Sequence, residues 1–159
     1  MQLTVQEITA ESFAPYGSVL YPCEGHSSGE ISFLPDRMLH FVGAPALDSL
    51  STICIRYRPI VLSITEYHDD TEEVFGGFNH DLVFHVGHLK QNNTPDLNSL
   101  AMFKLPKGAF ARVKRRVLHH AGFVLGKDDV AYGVVLLSPS AYTIDCKVID
   151  FQNPIEVKL

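Results

Sequence analysis

The chain has 159 residues, a length that suits one domain burying about two-thirds of the surface its unfolded form exposes. It is 46% hydrophobic and 19% charged, a globular balance that excludes a disordered chain. A net charge of -5 argues against a general nucleic-acid binder, which needs an excess of Lys and Arg on one face.

In chain order, the N-terminus lacks both a basic start and a long apolar stretch, and no apolar run elsewhere approaches the length of a membrane-spanning helix. A cytoplasmic protein without a membrane partner is expected. Residues 9–14 read as one or two helical turns, capped by Thr9 and ended before Pro15. Strand signals dominate afterwards, at 18–21, 51–57, 60–67, 81–86, 101–105, 110–113, 122–125, 131–137 and 142–151, separated by Gly, Pro, Asn and Asp turns. Residues 25–35 and 89–99 are rich in breakers and read as loops. Many short strands at close spacing point to an all-β antiparallel sandwich or barrel, with residues 1–159 as a single domain. The three cysteines, Cys23, Cys54 and Cys146, have no Cys-x-x-Cys spacing and read as reduced thiols.

The segment Glu66-Tyr67-His68-Asp69-Asp70-Thr71-Glu72-Glu73 is the most chemically informative. Side chains alternate along a strand, so Glu66 and His68 share one face. A turn follows, and Glu73 opens an apolar run that returns a third polar group to the rim of that face. His119 follows Gly108 by eleven residues. Glu66, His68, Glu73 and His119 together supply two carboxylates and two imidazoles, a ligand mix suited to zinc, nickel, iron or manganese; read without a metal, the same groups form an acid/base cluster or a solvated polar surface. By parity, His120 should leave the surface that His119 enters. His85 and His88 differ in parity and His80 falls in a turn, so no shared metal is expected of them.

Six of the thirteen basic residues, Lys104, Lys107, Arg112, Lys114, Arg115 and Arg116, fall within thirteen positions just before His119. The run reads either as an anion-attracting mouth or as a solvated strand and loop. Arg58 and Arg115 are the candidate clamps for a carboxylate substrate, because a guanidinium meets a carboxylate with two hydrogen bonds.

The pattern Glu-x-His-x4-Glu resembles the first cupin motif with Glu66 in place of its first His, and the interval from Gly108 to His119 resembles the second. The chain as a whole is similar to the ureidoglycolate lyase family of small cupins. The likeness rests on Glu11-Ser12-Phe13-Ala14-Pro15-Tyr16-Gly17, Glu66-Tyr67-His68, Pro95-Asp96-Leu97-Asn98-Ser99-Leu100, Phe103 and Val117-Leu118-His119-His120. It departs from the family at Leu118 and Ala121, where Trp and Pro are common, at Phe75-Gly76-Gly77, and at Glu73, where Gln is common. The resemblance implies a cupin-type double-stranded β-helix, or jelly-roll barrel, a homodimer, and elimination of urea from ureidoglycolate to give glyoxylate. In that chemistry His68, Glu73 and His119 would be the catalytic residues. The alternative is a non-catalytic cupin that binds a small ligand in the same pocket.

Overall fold

The computed structural model describes residues 1–22, 49–138 and 140–159. The expected loop at 25–35, and Cys23, lie outside the described residues. The elements are β1 (Gln2–Glu7), α1 (Ala10–Phe13), β2 (Gly17–Leu20), β3 (Ser49–Arg56), β4 (Val61–His68), β5 (Glu73–Gly76), β6 (Leu82–Leu89), β7 (Pro95–Leu105), β8 (Phe110–Val113), β9 (Val117–His119), β10 (Phe123–Val124), β11 (Val130–Leu137), a π-helical turn (Ala141–Asp145) and β12 (Cys146–Lys158). The chain is all-β, as its strand pattern implies. Its short helix is held by a reciprocal cap: Ser12 N donates to Thr9 Oγ1 and Thr9 N to Ser12 Oγ, each at 3.0 Å.

The strands form two sheets. One has the order β2-β8-β5-β11-β3, and the other β10-β6-β7-β1-β12-β4-β9 with an added β6–β9 pairing. That last pairing closes a ring, because β9 bonds to β4 through Glu66↔His119 and to β6 through Val86↔His119. His119 thus sits between two strands that both fix its backbone.

Alternation along β6 divides the core in two. Leu82, Phe84 and Val86 pack with Phe13, Phe75 and Phe103 between the sheets, where the aromatic rings meet edge to face at 5.0–5.8 Å. Val83 turns the other way and joins Leu62, Tyr67, Met102 and Leu118 in the second core, enclosed by the ring. Each such side chain, fully buried, contributes about 1.5–3 kcal/mol of transfer free energy.

The strands differ from the sequence reading in several places, β5 and β9 among them, neither of which it gave as a strand. β1 is absent from it and pairs parallel to both β12 and β7, so the architecture is not purely antiparallel. The expected loop at 89–99 is mostly strand: the chain reverses in a tight turn where Lys90 N donates to the Thr94 carbonyl and Asn93 takes a φ of 61°, a conformation asparagine tolerates. Pro95 then opens β7, a strand position where its missing N–H is tolerated. The expected strand at 142–151 begins at Cys146 and runs on to Lys158, because residues 141–145 coil into the π-helical turn.

Candidate metal centre and the cavity beside it

His68 ends β4, Glu73 starts β5 and His119 ends β9, so three strand termini meet at one point. Glu73 Oε2 lies 3.4 Å from His68 Nε2 and 3.6 Å from His119 Nε2. The ligand atoms of the three residues all fall within 4.8 Å of one another. A tetrahedral ion bound at about 2.0–2.1 Å holds its donors about 3.4 Å apart, so the observed spacing fits one divalent cation.

Tautomer chemistry supports the fit. His119 Nδ1 lies 2.9 Å from the Val117 carbonyl, which only accepts, so the proton of the neutral ring sits on Nδ1 and Nε2 presents a lone pair toward Glu73. Both nitrogens of His68, and Nε2 of His119, are buried without a hydrogen-bond partner at normal distance. Orphaned nitrogens of this kind are costly unless an ion or a proton satisfies them. Burial alone would raise the Glu73 carboxyl, yet the His119 and His68 imidazoles hold it down at about 2. Burial likewise disfavours charge on His119, but Glu73 overcomes it and leaves the imidazole above its ordinary value. Glu73 is thus held as a carboxylate, and a cation bound there would compete with a proton for the His119 imidazole.

The segment joining His68 to Glu73 is wrapped around one side chain. Asp145, buried at the end of the π-helical turn, accepts from Asp69 N at 2.9 Å, Asp70 N at 3.2 Å, Thr71 N at 3.0 Å and Thr71 Oγ1 at 2.8 Å. Burial raises its carboxyl, but these donors outweigh burial and hold it below its ordinary value. Arg116 braces the same segment from the other side: its N–H donates to the His68 carbonyl at 2.8 Å and its guanidinium pairs with Asp69. Behind His119, its carbonyl accepts from Thr65 Oγ1 at 3.1 Å, and Thr65 Oγ1 in turn lies 2.9 Å from His85 Nε2. Burial pushes His85 down to about 3, so the neutral ring donates through Nε2 to the hydroxyl.

Beside the centre is a cavity of about 170 Å³. Its polar wall is Glu66, Glu73 and His120; its apolar wall is Ile53, Ile55, Phe75, Phe78 and Val135. Glu66 Oε2 accepts from the Cys146 thiol at 3.3 Å, and burial, reinforced by the neighbouring carboxylates, pushes that thiol up to about 12, so it remains a donor. A larger hollow of about 500 Å³ lies elsewhere, between β12 and the start of β7, with Asp150 the titratable side chain among the described residues that line it. Size does not make it the reactive site, because the clustered imidazoles and carboxylates belong to the smaller cavity.

Of the expected site residues, His68, Glu73 and His119 converge, and Glu66 stands at the cavity wall outside the three-residue cluster. Neither candidate clamp is among the residues that line the cavity. The Arg58 guanidinium packs over the Phe123 ring at 4.1 Å and donates to the Ala121 carbonyl at 2.7 Å, bracing the cavity from behind. Arg115 is exposed on the turn between β8 and β9 and is not among the lining residues. His120 departs from parity: β9 ends at His119, so strand alternation does not extend to the next residue, and His120 lines the cavity. The basic run is largely engaged locally, with Lys104 3.1 Å from Asp81, Arg112 3.3 Å from Glu72, and Lys114 donating to the Ala14 carbonyl at 2.7 Å. His80 lies 3.7 Å from Asp129, and His88 stacks on Tyr16 at 4.9 Å between ring centroids.

Asp145 and Cys146 escaped the sequence reading because only strand register sets Cys146 opposite His68, with Asp145 next to it. No helix among the described residues is long and apolar enough to cross a membrane. No protein-family model matches the chain, and no curated protein matches it.

Proposed function

We propose that the protein is a metal-dependent enzyme acting on a small carboxylate that bears a hydroxyl, keto or ureido group, with His68, Glu73 and His119 holding one divalent ion of nickel, zinc, iron or manganese. The observation that carries the reading is the convergence of three buried donors at metal-ligand spacing, next to a cavity with a carboxylate and an imidazole in its wall. A bound cation would supply Lewis acidity toward the oxygens of the substrate. The closed ring and facing second sheet are compatible with the cupin jelly roll, and the sequence resemblance supports carbon–nitrogen lysis of ureidoglycolate. In that reaction the hydroxyl proton leaves to a base, the carbon–nitrogen bond breaks as the carbonyl of glyoxylate forms, and the departing nitrogen takes a proton to become urea. Proton transfer falls to Glu66 and His120, which line the cavity and are not needed to hold the ion.

Incubating metal-loaded protein with ureidoglycolate tests the reading. Urea and glyoxylate released in equal amounts, lost on chelation and restored by added metal, is the expected result. A metal-loaded protein that releases no urea would overturn the ureidoglycolate reaction and leave the metal centre standing.

A further inference from the structure

The cavity has two unlike walls. Glu66 comes from β4 of the larger sheet and His120 follows β9. Ile53, Ile55, Phe75 and Val135 come from β3, β5 and β11 of the five-stranded sheet, which also brings in Glu73, and with Phe78 they present hydrocarbon. Four of those five are buried core residues that also pack between the sheets. The aromatic ring of Phe78 has a slot of its own, since a Cβ at Gly133 would stand 2.4 Å from it. The apolar wall is therefore built in detail, and a ligand polar throughout would set its hydrogen-bonding groups against hydrocarbon, at a cost.

We infer that the natural substrate carries a small aliphatic group on the side away from its metal-binding carboxylate. The ion site fixes the acid end, and the apolar wall receives a chain of a few carbons, limited by a volume of about 170 Å³. This rests on the metal-centre reading and narrows its substrate class, within which ureidoglycolate would be accepted but bound less well than an analogue with an alkyl substituent.

The test is isothermal titration of zinc-loaded protein with glycolate and with both enantiomers of lactate, 2-hydroxybutyrate and 2-hydroxyvalerate. Affinity is expected to rise about threefold to fourfold for each added methylene that is buried, until the chain outgrows the cavity. The increase should flatten in Val135→Thr, which keeps the side-chain shape and adds a hydroxyl, and in Ile53→Thr, at a half-buried position that tolerates polarity. Two variants guard against one failing to fold. A wild-type series that is flat, or a slope unchanged in both variants, would overturn the inference while leaving the metal centre intact. Zinc uptake without binding of any of the acids would also overturn it, and failure to take up zinc would overturn the inference and the metal centre together.

Discussion

His119 and His120 are adjacent, yet the structure gives them different work. His119 has one nitrogen committed to the Val117 carbonyl, which leaves the other for an ion or a proton. His120 lines the cavity beyond the end of β9, beside the carboxylate of Glu66. His120→Ala is therefore expected to retain metal while turnover falls about a hundredfold to ten-thousandfold, the usual contribution of a proton-transfer group. Metal analysis of the purified variant alongside its urea-release rate checks this. Loss of the metal together with the activity would place His120 among the ligands. The convergence of His68 with Glu73 was legible in sequence because a strand, a turn and an apolar run follow one another there. The position of His120 was not, since alternation predicts a side chain's direction only while the strand lasts.

Among the elements, the segment 69–72 decides how far apart His68 and Glu73 stand, and Asp145 decides the shape of that segment. The four donors that surround its carboxylate lie 74–76 residues away along the chain. No local pattern announces such a contact, which is why the sequence showed the two ligands and not their support. β1 escaped for a related reason, because its parallel partners lie at the far end of the chain and in β7. Asp145→Asn keeps one acceptor oxygen and loses the other with the charge, so a loss of about 1–3 kcal/mol is expected, with weaker metal retention. The pH dependence follows from the depressed carboxyl. Its contribution is fully present above the ordinary aspartate value of 3.8 and is lost as pH falls through the lower folded value. Acid unfolding of metal-free wild type should therefore include a step below that value that is diminished in Asp145→Asn. Matching acid profiles and equal melting temperatures for the two proteins would contradict this role.

For the whole molecule, β12 has an edge that no strand among the described residues covers. It pairs with β4 along residues 146–150 and again at 155–156, and its other described neighbour, β1, meets it at 156–158. Val148 on this stretch is 55% exposed, and Ile144 just before it is 75% exposed. An open edge with apolar side chains is covered symmetrically when two copies pair, so a homodimer through this region is proposed. Sedimentation at micromolar concentration should give a dimer, and Val148→Lys should shift it toward monomer. A wild-type protein that is monomeric under those conditions would refute the pairing. The all-β class and the many short strands were readable from composition and turn residues. Closure of one sheet into a ring was not, because it depends on the three residues of β9 bonding to two strands at once.

All the chemistry assigned to the molecule depends on His68, Glu73 and His119 holding one ion. The most direct test is calorimetric titration of chelator-stripped protein with zinc, in wild type and in His119→Ala. The account expects one equivalent per wild-type chain, weakened at least a hundredfold by the substitution, with circular dichroism showing the variant still folded as β-sheet. Wild type that binds zinc no better than folded His119→Ala would contradict it.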